Sequence, residues 1–381
     1  MNYSLPFVAD TKNMVLSMRF IGLWLLYGLS FLSVSAQETG DYVWFDPLEQ
    51  LNQIEGQGWP DIGFNRLPDK AEHAVRDAVW SLSKHAAGLS IRFVTDADSL
   101  EITYEVDGNY AMNHMPATGV SGVDLYGKDD DGRWLWYRGK NTFGDKVVFH
   151  FKTEKSGPEG RRYQLYLPLY NNCKNLRFGI PKGREITFLP VRTEKPVLVY
   201  GTSIAQGACA SRPGMAWTNV LGRKLNYPIT NLGFSGNGRL EPEVMEFITQ
   251  VDAAVYVLDC LPNLGPNETR NEAEIKKRLY ASIKHIRDQK PKADILLTHH
   301  AGYSDGEVDS ARKAIYETLN RWTTEVFDEL RSTGEAHLFM LTKKEINLSN
   351  DAFVDGTHPT DLGMEQYAKA YEKKLTEIVT H

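Results

Sequence analysis

The chain has 381 residues, of which 42% are hydrophobic and 24% are charged, and its formal net charge is −6. This length allows two domains, and the composition is typical of globular proteins, which excludes a disordered or fibrous chain. A mildly acidic chain has little attraction for nucleic acid. Three cysteines are too few for a disulfide scaffold,.

The first 36 residues differ from the rest. Lys12 and Arg19 precede an apolar run over residues 20–34, which ends in small residues before a polar segment. This pattern predicts a secretory signal peptide over residues 1–36, with Met1 or Met18 as its start. A transmembrane anchor is disfavoured because the run is shorter than the roughly 20 residues that a span needs. We therefore expect a periplasmic or secreted protein with no stable membrane span after cleavage.

If the protein is exported, its cysteines could form a disulfide bond. Cys209 and Cys260 both lie near predicted loops at the same edge of a sheet, and an oxidising compartment would allow them to pair,. Buried free thiols are the alternative, and we expect them.

Residues 37–193 show short alternating runs. Apolar and polar side chains alternate over residues 100–106 (LEITYEV), as in a half-buried strand,. Similar runs occur at residues 90–95, 147–152, 163–169 and 185–191. Several short strands without intervening helices predict a β-sandwich or jelly-roll domain. Trp134, Trp136 and Tyr137 are candidates to stack on a sugar, or to fill the core of this domain.

The period changes near residue 193. Buried-type strands are predicted at residues 196–201, 229–234, 253–260, 293–299 and 337–341, with amphipathic helices between them. One helix carries apolar residues at Ile275, Leu279, Ile283 and Ile286, near a 3.6-residue period,. Such alternation predicts a second domain over residues 194–381, a parallel sheet with helices on both faces.

Ser203 directly follows the first of these strands, in residues 200–207 (YGTSIAQG). A serine at the carboxyl end of a buried parallel strand lies where open α/β sheets bind ligands, and Gly201 and Gly207 allow a sharp turn. Ser203 is therefore a candidate nucleophile. By itself the segment is better explained as a turn with an N-capping serine, because the full Gly-x-Ser-x-Gly elbow is absent.

Residues 355–359 (DGTHP) supply a carboxylate and an imidazole just before the final helix. If Asp355 bonds to Nδ1 of His358, the tautomer is fixed so that Nε2 can accept the proton of Ser203. An acyl-transfer site also needs hydrogen-bond donors for an oxyanion. Gly236 and Asn263, on the loops after the second and third strands, are candidates.

This set resembles the SGNH, or GDSL-like, hydrolase superfamily, which is named for its Ser, Gly, Asn and His blocks. The resemblance implies a flavodoxin-like sheet of order 2-1-3-4-5 and a triad of Ser203, His358 and Asp355. It also implies an oxyanion hole of the Ser203 backbone N–H with Gly236 and Asn263, and no metal or organic cofactor. Two segments depart from the family pattern: Thr202 replaces a common Asp, and residues 259–263 (DCLPN) replace Gly-x-Asn-Asp.

Residues 115–126 (MPATGVSGVDLY) resemble the Gly-x-Asp-Leu-Tyr module that precedes one bacterial SGNH group. Together the two resemblances imply an exported serine esterase, a carboxylic ester hydrolase that removes acyl groups, acetyl above all, from carbohydrate through an acyl-enzyme. Two alternatives stay open: a lipid acylhydrolase or thioesterase, and a glycan-binding protein on an inactive hydrolase scaffold.

Two further residues are candidates for substrate binding. Arg212 could hold a substrate oxygen or cap the turn before the first helix of the second domain. His299 ends the fourth strand, close to the expected cleft. His299 and His300 lack a third ligand at suitable spacing, so zinc is not expected there.

Overall fold

The computed structural model describes residues 37–153 and 160–379, which belong to one compact unit. The predicted signal peptide, residues 1–36, lies outside the described residues, so its cleavage stays a prediction. Within the described ranges, no helix combines the length and apolar character needed to cross a membrane.

The N-terminal part is a β-sandwich. A six-stranded antiparallel sheet has the order β1-β2-β10-β4-β8-β7, and a five-stranded one has the order β11-β3-β9-β5-β6. The strands are β1 Gln37–Thr39, β2 Tyr42–Phe45, β3 Ser90–Thr95, β4 Ser99–Glu105, β5 Asp124–Lys128, β6 Trp134–Tyr137, β7 Gly139–Phe143, β8 Val147–Lys152, β9 Arg161–Tyr166, β10 Lys174–Pro181 and β11 Ile186–Phe188. Two helices, α1 Asp77–Ser83 and α2 Ala117–Val120, lie in the connections. Phe93 of one sheet packs edge to face on Phe178 of the other, 5.3 Å between ring centroids, in a shared core,.

The C-terminal part confirms the predicted parallel sheet. Its order, β13-β12-β14-β15-β16, is the expected 2-1-3-4-5 arrangement. The strands are β12 Val197–Gly201, β13 Ile229–Gly233, β14 Val255–Asp259, β15 Asp294–Thr298 and β16 Leu338–Leu341. The helices are α3 Ser203–Gln206, α4 Trp217–Leu225, α5 Pro242–Ile248, α6 Glu272–Gln289, α7 Ser310–Ser332, α8 Lys343–Ile346 and α9 Asp361–Val379.

The three adjacent strands β13, β12 and β14 are buried at every residue because helices cover both faces,. The buried face of α6 is the predicted one, with Ile275, Leu279, Ile283 and Ile286 all at most 3% exposed. Its start is fixed by Asn271, whose side chain accepts from the backbone N–H of Glu274 at 3.1 Å,. On the opposite face, Trp217 of α4 stacks on Tyr371 of α9 at 4.2 Å.

The segment between β2 and β3 joins the two parts in a way the sequence did not indicate. Leu67 and Val79 lie in the same buried cluster as Leu198 and Tyr200 of β12. Arg66 is fully buried, and its guanidinium donates to the carbonyls of Gly233 at 2.7 Å, Leu82 at 2.7 Å and His85 at 2.7 Å. Burial lowers the pKa of Arg66 to about 9, so it stays charged at neutral pH. The division at residue 193/194 stays a prediction, but the two sides share buried cores.

The Gly-x-Asp-Leu-Tyr motif also joins the two parts. Asp124 is 3% exposed and accepts hydrogen bonds from Arg212, from the backbone N–H of Gly214 at 2.9 Å and from the indole of Trp136. Arg212 also donates to the hydroxyl of Tyr126 at 2.7 Å. The motif therefore holds the loop that follows the Ser203 helix against the sandwich.

All three cysteines, Cys173, Cys209 and Cys260, are buried and free, which confirms the expected thiols.

Asp259, at the end of β14, is an isolated buried carboxyl. It is 1% exposed, and within residues 37–153 and 160–379 its Oδ2 has no hydrogen-bond partner. Burial raises the pKa of Asp259 from 3.8 to about 7, and the nearby Tyr371 hydroxyl offsets part of this rise. The folded protein therefore holds a proton that the unfolded chain releases above about pH 4.

Because the pKa of Asp259 is raised on folding, the stability of the protein is expected to fall as pH rises from about 4 to about 7. Asp259→Asn removes this dependence. At roughly 1.4 kcal/mol per pKa unit, the variant should gain up to about 4 kcal/mol in free energy of unfolding at about pH 8 and almost nothing at about pH 4. Denaturant unfolding of both proteins at the two pH values measures this difference. If the two proteins differ by the same free energy of unfolding at both pH values, Asp259 does not change its protonation on unfolding.

Candidate active site

Ser203 lies at the start of α3, at the carboxyl end of the interior strand β12. The turn into the helix is tight: a Cβ on Gly201 would come within 2.6 Å of the Ala205 Cβ, and Gly207 has a φ of 115°,. Thr202, where many family members have Asp, caps the helix by accepting from the backbone N–H of Ile204 at 3.3 Å,.

The structure brings the three predicted triad residues together. Ser203 Oγ lies 2.8 Å from His358 Nε2. On the other side of the ring, His358 Nδ1 lies 2.7 Å from Asp355 Oδ2. When Nδ1 carries the proton that Asp355 accepts, Nε2 is the acceptor for the serine hydroxyl. The three side chains therefore form one continuous chain of hydrogen bonds, in which His358 can take the serine proton while Asp355 holds the ring in place,.

The loop that carries Asp355 and His358 is held in shape by its own hydrogen bonds. Asp355 Oδ1 accepts from the backbone N–H of His358 at 2.8 Å and of Thr357 at 3.0 Å. Arg312 of α7 donates to Thr357 Oγ1 at 3.2 Å. Partial burial acts to raise the pKa of Asp355, but the bonds from His358 and Thr357 outweigh it and lower the pKa to about 2. The carboxylate is thus ionised at any pH near neutrality.

Two backbone donors are available for an oxyanion. The N–H of Ser203 is the first of α3, and the first N–H groups of a helix have no partner within it. Among the described residues, the N–H of Gly236 has no partner either, whereas its neighbour Ser235 donates to Gln206 Oε1 at 2.9 Å. Gly236 has a φ of 67°, which favours glycine, and it is exposed. Gly238 lies so close to Gly201 that a Cβ on Gly238 would be 1.9 Å from the Gly201 carbonyl oxygen, so this position also requires glycine.

Asn263 lies on the loop after β14, beside the Gly236 loop. With its amide oxygen turned toward that loop, Oδ1 accepts from the N–H groups of Gly238 at 3.2 Å and Asn237 at 3.1 Å. Only this orientation gives the oxygen donors to bond,. It leaves the Nδ2 hydrogens free to donate, as an oxyanion hole requires.

Asn263→Ala is expected to lower kcat by about 10²- to 10³-fold, because one oxyanion donor is lost. Steady-state hydrolysis of a p-nitrophenyl ester measures the change. Asn263→Asp is the matched variant: it keeps an oxygen for Gly238 and Asn237 but has no donor, so it should be at least as slow. A near-normal kcat in Asn263→Asp would show that Asn263 only anchors the neighbouring loop.

The two candidate substrate residues have partners inside the protein. Arg212 bonds to Asp124 and Tyr126, as described above. His299 is 8% exposed; its Nε2 lies 3.1 Å from Thr324 Oγ1, and its Nδ1 accepts from the backbone N–H of Lys343 at 3.4 Å. Burial lowers the pKa of His299 to about 4, so the ring is neutral. Substrate binding by either residue stays a prediction, with both side chains already engaged.

Two residues near the triad were not assigned to it from the sequence. His114, on the loop before α2, places its ring centroid 5.8 Å from that of His358. Cys209 lies just beyond α3, and its backbone N–H donates to the carbonyl of Pro359 at 3.0 Å. Burial raises the pKa of the Cys209 thiol to about 12, and the charge of Asp355 adds to the effect. His114 belongs to no motif that would have indicated this position. It reaches the triad only because the sandwich packs on the parallel-sheet domain.

The chain matches two known families. Residues 194–376 match the GDSL-like Lipase/Acylhydrolase family, and residues 42–186 match the N-terminal domain of SGNH-hydrolase-type esterases, named GxDLY. No curated protein matches the sequence.

Solved structures show the same architecture. A GDSL-like lipase from Bacteroides ovatus is 29% identical with a TM-score of 0.79, and the match covers 89% of this chain and 98% of that one. A salicylyl-acyltransferase from a tetracycline biosynthetic pathway is 17% identical with a TM-score of 0.65, over 91% of this chain and 93% of that one, and shows the fold alone. The two family matches together span the sandwich and the parallel-sheet domain, and the chain therefore belongs to the GDSL-like, or SGNH, family of carboxylic ester hydrolases that carry an N-terminal GxDLY domain.

Proposed function

We propose that the protein is an exported serine esterase that removes short acyl groups, acetyl above all, from carbohydrate. The observation that carries the proposal is the unbroken chain of hydrogen bonds from Ser203 Oγ through His358 to Asp355, with separations of 2.8 and 2.7 Å. These are hydrogen-bond distances suited to transfer of the serine proton.

In the proposed reaction, Ser203 Oγ attacks the ester carbonyl while His358 Nε2 takes its proton. Asp355 stabilises the imidazolium, and the N–H groups of Ser203 and Gly236 with the Asn263 amide hold the oxyanion. Collapse of the tetrahedral intermediate expels the alcohol, which receives the proton from His358. A water that His358 deprotonates then attacks the acyl-enzyme. Collapse of the second tetrahedral intermediate releases the acid, and His358 returns the proton to Ser203 Oγ.

The carbohydrate part of the proposal is supported by an exposed aromatic side chain. Trp136 lies on β6, at the edge of its sheet, and is 47% exposed. The guanidinium carbon of Arg212 lies 4.5 Å from the Trp136 ring centroid, and Arg212 belongs to the loop that follows the Ser203 helix. An exposed indole on a strand that is paired within a sheet presents a flat apolar face on which a sugar ring can stack, so Trp136 is the residue we assign to glycan binding.

Acetate release from a panel of acetylated plant and host glycans tests this proposal. The parent should release acetate, and Trp136→Ala should be several-fold slower on polymer yet normal on p-nitrophenyl acetate. Trp136→Phe keeps an aromatic ring but loses the hydrogen bond to Asp124. It therefore separates stacking on a sugar from support of the loop that carries Arg212. Leu135→Ala, at a neighbouring exposed position, is the control. Equal activity of Trp136→Ala and Leu135→Ala on every glycan would remove the assignment.

A second candidate, an acylhydrolase for longer chains, is favoured by exposed apolar residues near the triad. Val354 is 45% exposed and adjoins Asp355 in the chain. Val308 is 88% exposed on the loop whose Ser304 donates to the Gly356 carbonyl at 3.1 Å. A series of p-nitrophenyl esters decides between the candidates: kcat/KM should fall beyond short acyl chains, and a rise with chain length would favour the acylhydrolase.

Export is supported by the sequence of residues 1–36 alone. It predicts that the mature protein, recovered from the periplasm or the medium, begins after Ala36,. N-terminal sequencing of the fractionated protein tests this, and recovery of the uncleaved chain in the cytoplasm would contradict it.

A further inference from the structure

We propose that His114, Cys209 and His358 form a binding site for zinc or a similar thiophilic divalent cation, and that metal binding there switches the esterase off. The metal site stands on geometry alone. Only the inhibition rests on the proposed catalytic role of His358.

The three side chains converge from separate parts of the chain. One ligand atom from each, an imidazole nitrogen from His114 and from His358 and the sulfur of Cys209, lies within 4.8 Å of the others. In a tetrahedral zinc site, with bonds of about 2.0 Å to nitrogen and 2.3 Å to sulfur, ligand atoms are about 3.3 to 3.6 Å apart. The existing cluster therefore needs a contraction of roughly 1 Å, and His114, which is exposed on a loop, can supply it by side-chain rotation,.

Two of the three ligands are uncommitted. Across the described residues, neither ring nitrogen of His114 nor the thiol of Cys209 has a hydrogen-bond partner. A bound cation would therefore displace only one existing interaction, at His358. Two imidazoles and a thiolate suit zinc, with water as a fourth ligand, and do not suit Mg²⁺ or Ca²⁺, which prefer oxygen.

Occupation of this site is incompatible with hydrolysis. If the metal takes Nε2 of His358, the group that accepts the Ser203 proton is blocked. If it takes Nδ1, the hydrogen bond to Asp355 is broken and the ring loses the tautomer and orientation that catalysis needs. Binding releases the thiol proton of Cys209 to solvent and involves no redox change.

Metal titration of the metal-free full-length protein tests the site directly. Co²⁺, as a zinc analogue, should bind one equivalent per chain and give a thiolate-to-cobalt charge-transfer band. Zn²⁺ should displace it, and should lower esterase activity to below a tenth in a way that a chelator reverses. His114→Ala and Cys209→Ala should each weaken metal binding by at least about tenfold, with inhibition compared against each variant's own metal-free activity.

Matched controls are Cys173→Ala, which removes a buried thiol from the sandwich core, and His73→Ala, which removes another exposed histidine. Both should bind Co²⁺ and respond to Zn²⁺ as the parent does. Co²⁺ binding without a thiolate band, or zinc affinity unchanged in His114→Ala, would overturn the proposal. Since His114 is exposed, that variant gives an answer even if Cys209→Ala does not fold. The cobalt spectrum also decides the question in a preparation without esterase activity.

Discussion

Replacing Ser203 with alanine is expected to lower kcat for ester hydrolysis by about 10⁴- to 10⁶-fold. The hydroxyl is the only group in the proposed mechanism that forms the acyl-enzyme, so its loss leaves only binding and the oxyanion donors. Among residues 37–153 and 160–379, the side chain of Ser203 bonds only to His358. The free energy of unfolding should therefore change by no more than about 1 kcal/mol.

Stopped-flow hydrolysis of a p-nitrophenyl ester, with mass spectrometry after a serine-directed phosphonate, measures both the rate and the labelled residue. The parent should show a burst and a label on Ser203, and Ser203→Ala should show neither. Ser304→Ala, on a loop beside the triad, is the control and should keep both. A variant at Ser203 that retains more than about a tenth of the parent kcat would place the nucleophile elsewhere. A parent protein that the phosphonate does not label at Ser203, but that binds glycan tightly, would favour the glycan-binding alternative.

The parallel-sheet domain was predictable because its strands are buried on both faces. Such strands appear in the sequence as short continuous apolar runs, and β12 and β13 begin and end within one residue of the predicted limits,. The sheet order was not contained in these runs. It followed from the resemblance to a family whose order is known, and the structure confirms it.

The meeting of Ser203, Asp355 and His358 at one place was predictable in the same limited sense, from the fold of the family. Ser203 lies at the carboxyl end of β12, and Asp355 and His358 lie on the connection from β16 to α9, which starts at the same edge of the sheet. Their convergence therefore followed from the fold and not from their distance in the chain. The orientation of Asn263 did not, because it depends on two N–H groups of a neighbouring loop.

Contacts across the boundary at residue 193/194 could not be predicted. His114 reaches His358, and Arg66 reaches Gly233, only because the sandwich and the sheet pack on each other. Neither residue belongs to a period or a motif. The burial of Arg66 is also unexpected, because arginine is seldom fully buried unless it is paired with a carboxylate. Here backbone carbonyls accept the hydrogen bonds of the guanidinium instead.

Asp355→Asn is expected to lower kcat by about 10⁴-fold, through His358 and not through any contact with substrate. The amide can still accept from the backbone N–H groups of His358 and Thr357, so the loop should keep its shape. Toward Nδ1, however, it presents a donor where the carboxylate is an acceptor. The ring then carries its proton on Nε2, and Ser203 loses its base.

The pH dependence of Asp355→Asn separates this role from a structural one. Because the pKa of Asp355 is lowered to about 2, the ionised carboxylate stabilises the fold above about pH 4, and this stabilisation is lost as pH falls toward 2,. The variant should therefore be less stable than the parent at neutral pH but equal to it near pH 2, while its loss of kcat should persist from about pH 5 to 8. Asp351→Asn, an exposed carboxylate just upstream, should change neither quantity. If Asp355→Asn keeps kcat within tenfold and loses only stability, Asp355 shapes the loop and another group orients His358.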